Sequence, residues 1–366
     1  MVQEIQADNA VTAIDTLLER AVKTRASDIH IDPRDDDTMV RFRIDGVIEP
    51  IGALPARLHE EMIARLKILS GSRTDVHFMP QDGRWKANVS GEDYNVRISF
   101  MPTYYGENAV IRLLPSRAAS GISFAKLGFT PEHVRIIAKT LEKPSGLVLA
   151  TGPTGSGKTT TLHACLSLKA REPLSIITLE DPVEYEIPDV RQVHIRHDYG
   201  VTFASGLRAA LRQDPDIIMV GEIRDSETAR VAIHTALTGH LVFSTLHTNS
   251  AMEAIPRLLD MGVDHYLLAS TLRLLIAQRL IRDTCRECFA GGCECCRNTG
   301  YSGRSAIVEV CEVDNHMREM IGARAPLSDI VESAHNNGFR GIEEDGAEKV
   351  DWGVTTKEEI MRVLYL

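Results

Sequence analysis

The apolar positions of this chain follow two different patterns. In the second half they form short continuous runs, which suit strands of a parallel sheet buried on both faces. These runs occupy residues 147–150, 175–179, 217–220 and 241–243, and segments with helical periodicity lie between them at residues 158–169, 203–212 and 227–237. This order of strands and helices predicts an α/β fold with a mostly parallel sheet and helices on both faces.

The first part of the chain instead alternates apolar and polar residues. Val40, Phe42 and Ile44 alternate with charged residues, and Asp45-Gly46 is a strong hairpin-turn signal that leads into a further strand. The alternation returns at Val96, Ile98 and Phe100, and apolar residues recur at helical spacing before the first strand. We therefore expect a small α+β domain at the start of the chain.

Two later segments predict helices. Residues 266–281 form the longest apolar stretch. Because Arg273 and Arg279 interrupt it, we interpret it as a helix of a water-soluble domain and not as a membrane span. Residues 305–366 are acidic and predict a C-terminal helical region.

Composition and charge restrict the class of protein. With 366 residues, the chain is too long for one core of usual size, so two or three domains are expected. It has 41 Lys and Arg against 51 Asp and Glu, a net charge of −10, which argues against a surface built to neutralise nucleic-acid phosphates. Aromatic residues make up only 5%, too few for a base-stacking platform. No leader pattern opens the sequence, so neither secretion nor organelle import is expected.

A phosphate-binding motif stands between a predicted strand and a predicted helix. Gly152-Pro-Thr-Gly-Ser-Gly157-Lys158-Thr159 matches G-x-x-x-x-G-K-[ST], in which the glycines let successive N–H groups point at phosphate oxygens. Lys158 is expected to reach the β and γ phosphates and Thr159 to hold Mg²⁺ through its hydroxyl. The residues predicted to contact the nucleotide here are Gly152, Pro153, Thr154, Gly155, Ser156, Gly157, Lys158, Thr159 and Thr160.

Polar residues follow three of the predicted buried strands. Glu180, Glu222 and His247 each stand where such a strand ends, at the sheet edge where open α/β sheets bind ligands. Glu222 can orient a water molecule, act as general base or hold the water shell of Mg²⁺. Taken one at a time, an acid at a strand end is more often a cap and a histidine is more often structural. Their convergence on the edge that carries the phosphate motif favours a catalytic site.

Five of the seven cysteines fall within twelve residues. Cys285, Cys288, Cys293 and Cys296 form two C-x-x-C pairs separated by four residues, and four thiolates at this spacing can close a structural tetrahedral Zn²⁺ site. Cys295 is left over. Reduced free thiols and a redox pair are the alternatives, and the latter lacks a surrounding βα context.

Four segments in order make the sequence resemble a known family. Together with the phosphate motif, residues 179–184, 211–225 and 238–249 are similar to the Asp box, Walker B and His box of the secretion ATPases of type II secretion and type IV pilus assembly. The resemblance extends from Ser27-Asp-Ile-His30 to Thr299-Gly-Tyr-Ser-Gly-Arg304 and covers nearly the whole chain.

The resemblance implies a RecA-like ATPase domain preceded by a small PAS-like α+β domain. The implied parts are the α+β domain (1–115), a linker (116–125), the P-loop core (126–280), a tetracysteine zinc element (281–304) and a C-terminal helical subdomain (305–366). It also implies a homo-hexamer that hydrolyses ATP with Mg²⁺ at the cytoplasmic face of the bacterial inner membrane. The implied partners are a polytopic platform protein, a docking protein and, indirectly, pilin or pseudopilin subunits. From the net charge and the few aromatic residues, no direct contact with nucleic acid is expected.

The resemblance further assigns roles to single residues. Glu222 becomes the Walker B base, Glu180 an acid near Mg²⁺ or water, and His247 a sensor of the γ-phosphate. Arg97 and Arg112 match N-terminal-domain arginines that approach the nucleotide, and Arg279 is a weaker candidate for the same task. The planar guanidinium suits charge stabilisation on phosphoryl oxygens.

Other functions stay open at this point. In this family a tetracysteine element marks the assembly branch and is absent from pilus-retraction motors, so the cysteines favour assembly over retraction. A conjugation or DNA-transfer ATPase, a non-hydrolysing nucleotide-dependent scaffold and a helicase are further alternatives. About 26 residues precede the Ser27 motif, which leaves open a short member that docks differently or a trimmed chain.

Overall fold

A computed structural model describes residues 5, 7–116, 123–170 and 173–365. The chain divides into two compact units, Met1–Ser120 and Gly121–Leu366. Residues 117–122 of the predicted linker lie outside the described residues. Within the described part of the chain, no helix is both long enough and apolar enough to cross a bilayer.

In its described residues, the first unit is a six-stranded antiparallel sheet with two α-helices. Its elements are α1 (Ala10–Lys23), β1 (Ala26–Pro33), β2 (Asp37–Ile44), β3 (Val47–Pro55), α2 (His59–Ser70), β4 (Gln81–Val89), β5 (Glu92–Thr103) and β6 (Gly106–Pro115). The strand order is β3-β2-β1-β6-β5-β4. The predicted alternation is confirmed, since Phe42 and Ile98 point into a core that also receives Leu17 of α1. Asp45 and Gly46 both have positive φ, as the two-residue hairpin turn between β2 and β3 requires.

The second unit contains the α/β fold. Its strands are β7 (Gly146–Thr151), β8 (Ile176–Glu180), β9 (Arg191–His194), β10 (Ile217–Val220), β11 (Leu241–Leu246), β12 (Leu272–Thr284) and β13 (Tyr301–Glu312). Its helices are α3 (Pro131–Leu141), α4 (Lys158–Lys169), α5 (Phe203–Ala210), α6 (Ser226–Leu237), α7 (Ala254–Asp260), α8 (His265–Thr271), α9 (Asn315–Gly322), α10 (Leu327–Asn336), α11 (Ile342–Asp351) and α12 (Lys357–Tyr365). The strand order is β13-β12-β7-β11-β10-β8-β9.

The predicted mostly parallel sheet is confirmed. From β12 to β9 every neighbouring pair is parallel, and β13 joins the edge in the antiparallel direction. Every residue of β7, β8, β10 and β11 is buried. Along β7, Leu147 and Leu149 face one hydrophobic core while Val148 and Ala150 face another. A strand buried on both faces has no polar side, which explains its continuous apolar sequence.

The helix expected at residues 266–281 is wrong. Helix α8 ends at Thr271, and the apolar residues that follow form β12, which lies between β7 and β13. Leu275 and Ala277 face one core, whereas Leu274 and Ile276 face the other. Because both faces of β12 are covered, its apolar run lacks the period of two that distinguishes a strand from a helix.

The prediction that residues 305–366 are helical is wrong for the first residues of this region. Residues 305–312 belong to β13, which pairs with β12 along most of its length. Helices begin only at Asn315, and α11 and α12 pack against this two-stranded edge. Helix α5 is also shorter than the predicted helix at 203–212. It ends at Ala210, and a single 3₁₀ turn follows at Leu211–Gln213.

Candidate functional site

The phosphate motif forms a tight loop between β7 and the first residue of α4. Gly155 and Gly157 have φ of 78° and 89°, which a residue with a side chain adopts only with strain. A Cβ on Gly152 would lie 2.5 Å from the backbone oxygen of Gln278 and 2.7 Å from Ser156 Oγ. The loop therefore needs Gly155 and Gly157 for their backbone conformation and Gly152 for close packing against Gln278. Pro153, Thr154, Thr159 and Thr160 lie on the same loop and helical turn.

Lys158 is buried inside this loop. Its ammonium donates hydrogen bonds to the carbonyl oxygens of Gly152 (2.8 Å) and Pro153 (3.0 Å). Burial, with a smaller effect of Arg279, lowers the pKa of Lys158 to about 8, and Glu222 acts in the opposite direction. The loop thus holds a cation that lacks full compensation by acidic groups, which suits an anionic ligand.

Glu222 and His247 follow neighbouring strands and meet. Glu222 comes two residues after β10 and His247 directly after β11, and His247 Nε2 lies 3.6 Å from Glu222 Oε2. Arg224 Nε lies 2.5 Å from the same carboxylate oxygen. Burial and the charge of Lys158 lower the pKa of His247, so its imidazole is neutral near pH 7. Lys158, Glu222 and His247 are therefore brought together at one edge of the sheet.

Glu180 lies elsewhere on that edge. It ends β8, which is separated from β7 by β10 and β11. Its side chain is buried and accepts hydrogen bonds from Thr178 Oγ1 (2.6 Å) and Gln192 Nε2 (2.9 Å), with His163 Nε2 at 3.4 Å. Burial raises the pKa of Glu180, but His163 and these donors outweigh it and leave the pKa lowered. The contacts of Glu180 thus form a polar group distinct from that of Lys158, Glu222 and His247.

Arg97 and Arg112 belong to the first unit. They face each other on β5 and β6, as directly paired residues of the antiparallel register. Arg112 Nε donates to the buried Asp28 Oδ1 at 2.8 Å, and Arg43 Nε lies 3.7 Å from the other oxygen of Asp28. The structure thus places the two predicted arginines side by side. Their approach to the nucleotide stays a prediction.

Strand β12 brings two further residues to the phosphate loop. Arg279 donates to the backbone oxygens of Gln278 (3.1 Å) and Asn249 (2.9 Å), and burial lowers its pKa. Gln278 is buried and its Nε2 donates to the backbone oxygen of Ser156 at 2.6 Å. Sequence reasoning missed Gln278 because a helix at 266–281 would not lie alongside β7. Its polar side chain within an apolar segment was the available signal.

The four cysteines converge as their spacing predicted. All four Sγ atoms lie within 4.8 Å of one another, and Cys285–Cys293, Cys288–Cys296 and Cys293–Cys296 are 3.8, 3.7 and 3.6 Å apart. Four sulfur ligands about 2.3 Å from a zinc ion lie about 3.8 Å from one another. The cluster therefore fits a tetrahedral zinc ion. Cys295 is exposed and stands outside it.

Comparison with known proteins agrees with these features. The family described as "Type II/IV secretion system protein" matches residues 4–362. The chain belongs to this family. The resemblance inferred from the sequence motifs is therefore confirmed.

Relatives within the family carry secretion and pilus-assembly names. The chain is 43% identical over 361 residues to the type II secretion system protein HxcR of Pseudomonas aeruginosa, an alignment that covers 96% of this chain and 77% of that protein. It is 41% identical over 385 residues to the type IV pilus assembly ATPase PilB of Thermus thermophilus, covering 98% of this chain but 43% of PilB. These names support membership in an ATPase class.

Solved structures of secretion and pilus ATPases share the fold. The pilus retraction motor PilT with bound ADP has a TM-score of 0.70 and 28% identity, covering 95% of this chain and 96% of PilT. The Legionella pneumophila ATPase DotB has a TM-score of 0.75 at 22% identity, covering 98% and 97%, which shows likeness of fold alone.

Proposed function

We propose that this chain is an ATP-hydrolysing motor that drives assembly of a type II secretion pseudopilus or a type IV pilus. The observation that carries the proposal is the meeting of Lys158, Glu222 and His247 beside the phosphate loop of a family member. A phosphate cradle alone would suit any nucleotide-binding protein. An acid and a neutral imidazole beside it supply the groups that a hydrolytic reaction needs.

The nucleotide phosphates would lie against residues 152–160. Two features of the loop fit an anion: the buried Lys158 with its lowered pKa, and Ser156 Oγ, which is buried without a hydrogen-bond partner among the residues described. Thr159, at the start of α4, would hold Mg²⁺, which neutralises phosphate charge when bound. Lys158 would exchange its two carbonyl contacts for phosphate oxygens.

Glu222 would act as the general base toward the attacking water. Arg224 Nε lies 2.5 Å from its carboxylate and holds that side chain in place beside the phosphate loop. His247, neutral and 3.6 Å away, can donate one hydrogen bond toward the γ-phosphate or toward Glu222. Glu180 keeps its charge in a separate polar group, and we propose that it orders water or Mg²⁺ from there.

Arginines would complete the charge stabilisation. Arg279 is part of the second unit and already contacts Asn249, two residues after His247. Arg97 and Arg112 stand next to each other on the first unit, and we propose that movement of that unit presents them to the γ-phosphate. A guanidinium is always charged and planar, so its arrival would couple domain movement to hydrolysis.

The four-cysteine cluster would hold a structural Zn²⁺. The four sulfur atoms would fill all four positions of a tetrahedral site, which would leave no place for a reactive water. Relatives named for secretion and pilus assembly are 39–43% identical to this chain, whereas the retraction motor PilT is 28% identical. We therefore favour assembly over retraction, and secretion or pilus assembly over DNA transfer.

The remaining parts of the proposal concern assembly and location. The motor would work as a homo-hexamer, peripheral on the cytoplasmic face of the inner membrane. It would pass its movement to a polytopic platform protein and be held by a docking protein, with pilin or pseudopilin reached only indirectly. No direct contact with nucleic acid is proposed, in keeping with the net charge of −10.

Hydrolysis assays test the central proposal. Wild-type protein should release phosphate from ATP with Mg²⁺, and Glu222→Gln should lower kcat by about 100-fold or more because the base is lost. Glu227→Gln is a matched control, since Glu227 is exposed and pairs with Arg208 on the surface. Unchanged turnover in Glu222→Gln would rule out the base assignment, and strong stimulation by single-stranded DNA would contradict the secretion function.

Metal analysis tests the zinc site. Protein purified without a metal-binding tag should contain about one zinc per chain, and Cys288→Ser should lose most of it. Cys295→Ser is the matched control and should retain the metal, because Cys295 stands outside the cluster. Less than about half an equivalent in the wild type would count against a resident zinc ion.

A further inference from the structure

Glu309 is a buried acid in the middle of β13, with only 5% of its surface exposed. Its two carboxylate oxygens accept hydrogen bonds from two different parts of the chain. Oε2 accepts the backbone N–H of Ala251 at 2.7 Å, and Oε1 accepts the backbone N–H of Ile342 at 3.2 Å. One side chain on β13 thus joins two segments that are otherwise remote in sequence.

The first of these segments is the loop that carries His247. The loop leaves β11 and is held at successive points before α7 begins. Thr248 N–H donates to Thr151 Oγ1 at 2.9 Å, and Arg279 donates to the Asn249 oxygen at 2.9 Å. Glu309 then takes the N–H of Ala251. The position of His247 beside Glu222 therefore depends on anchors from β7, β12 and β13.

The second segment is the N-terminus of α11. Ile342 is the first residue of that helix, and its N–H is one of the groups that a helix cannot satisfy by itself. A carboxylate at this place also complements the positive end of the helix dipole. The bond to Glu309 therefore attaches α11 to the same carboxylate that holds the His247 loop.

Burying a neutral acceptor at this position would cost less desolvation free energy than burying the Glu309 carboxylate, and it could still accept either one of the two N–H groups. Burial raises the pKa of Glu309, and the two backbone donors and Arg279 only partly offset this effect. Two acceptor oxygens on one carbon are, however, what a carboxylate offers and an amide does not. The geometry thus favours a carboxylate over an amide at position 309, because two backbone N–H groups must be accepted at once.

We infer that Glu309 is a positioning residue for ATP hydrolysis, which holds the His247 loop in place and ties it to the first turn of α11. The inference rests on the proposed function, since it concerns the rate of that reaction. It gives the C-terminal helices a direct mechanical connection to the nucleotide edge of the sheet.

The main experiment replaces one carboxylate oxygen by an amide group. Glu309→Gln should lower kcat for ATP about tenfold while KM changes by less than about threefold, because Lys158 and the phosphate loop are untouched. Glu312→Gln is the matched control on the same strand. Its side chain pairs with Lys139 and Lys143 and touches neither segment, so its kcat should equal that of the wild type.

Hydrogen exchange gives a readout that does not depend on activity. In Glu309→Gln, peptides covering residues 247–253 and the start of α11 should exchange faster than in the wild type, while peptides from β7 and α4 stay unchanged. Equal protection in the two proteins would overturn the inference. So would a kcat within twofold of the wild type, or an equal loss in Glu312→Gln.

A second variant separates the two contacts and serves if Glu309→Gln does not fold. Ile342→Pro removes the N–H given to Oε1, and proline is well accepted at the first residue of a helix after an extended Gly341. It also removes the isoleucine side chain that packs against Ile281, Ile307 and Ile360, so its kcat is compared with that of Ile342→Ala, which loses the side chain but keeps the N–H. A fall in kcat of about threefold is expected, and an unchanged kcat would overturn the tie to α11. Absence of hydrolysis in the wild type would instead refute the proposed function, while the exchange experiment would still test Glu309.

Discussion

The nucleotide edge and the C-terminal helices of the second unit both bury charged groups, but they surround those groups differently. Lys158 sits among backbone carbonyls, and burial lowers its pKa to about 8. Glu359 of α12 is fully buried as well, yet it receives Arg282 and Arg362 at 2.6 Å each. Burial alone would raise its pKa, but hydrogen bonds from these arginines lower it to about 2.

The two surroundings indicate different roles. Lys158 is free of an ion-pair partner at short distance among the described residues and is suited to bind an anionic ligand, whereas Glu359 is paired within the protein and stabilises the fold. A buried charge without an opposite partner destabilises the folded chain, whereas a buried charge with good partners is costly to remove. Lys158 should therefore matter for activity and little for stability. Replacing Glu359 should lower the free energy of unfolding more than it changes activity.

Replacing Lys158 should produce the largest effect. Lys158→Met keeps the apolar stem but removes the charge that would face the β and γ phosphates, so kcat should fall by about 1,000-fold. The melting temperature should not fall, because the variant no longer buries an ammonium. Phosphate release and thermal unfolding of the same preparation check both parts, and a loss of several degrees in Tm would contradict the comparison.

Replacing Glu359 should have the next largest effect, and on stability. Glu359→Gln should lower the free energy of unfolding by about 3 kcal/mol, the equivalent of shifting its pKa from 4.5 to about 2. Glu358→Gln, at the exposed neighbouring position, should change it by less than about 0.5 kcal/mol. Urea unfolding of the three proteins measures the difference, and equal effects would show that the buried arginine contacts add nothing.

The same acid predicts the direction of a pH effect. Because folding lowers the pKa of Glu359, its stabilisation is fully present above about pH 4.5 and is lost as the pH falls toward 2. The difference in unfolding free energy between wild type and Glu359→Gln should therefore shrink in that acidic range. A difference that stays constant between pH 5 and pH 3 would contradict the assignment.

The smallest effect concerns nucleotide binding at alkaline pH. If the free protein has Lys158 with a pKa of about 8 and bound phosphates keep it charged, then ATP should bind about tenfold more weakly at pH 9 than at pH 7. Titration calorimetry across this range measures the change. Lys158→Arg is the control, since an arginine stays charged and its affinity should not vary between these pH values.

Some parts of the fold could be predicted from sequence and others could not. The α4 helix was predicted with its observed bounds, because the strand and the glycine loop before it fix where it starts. Strand β12 was predicted as part of a helix, because a run covered on both faces shows no period. That one error hid Gln278, which lies on β12 beside the phosphate loop next to the predicted Arg279.

The same distinction applies to the site. Local sequence is enough for the phosphate loop and for the cysteine cluster, since in each the functional groups lie within about twelve residues and their spacing restricts the geometry. The sequence alone therefore indicates the family, the four buried strands β7, β8, β10 and β11, and the chemical types of the groups at the edge of the sheet.

Whether a buried charge has an opposite charge beside it depends on tertiary contacts, which the sequence does not show. Glu309 reaches Ala251 and Ile342 across 58 and 33 residues of sequence, and Glu359 reaches Arg282 across 77. The pKa of Lys158 likewise depends on β12 lying against β7. Such contacts join separate strands and helices, and the free energy of a charge is set by its neighbours in space and not by its neighbours in sequence.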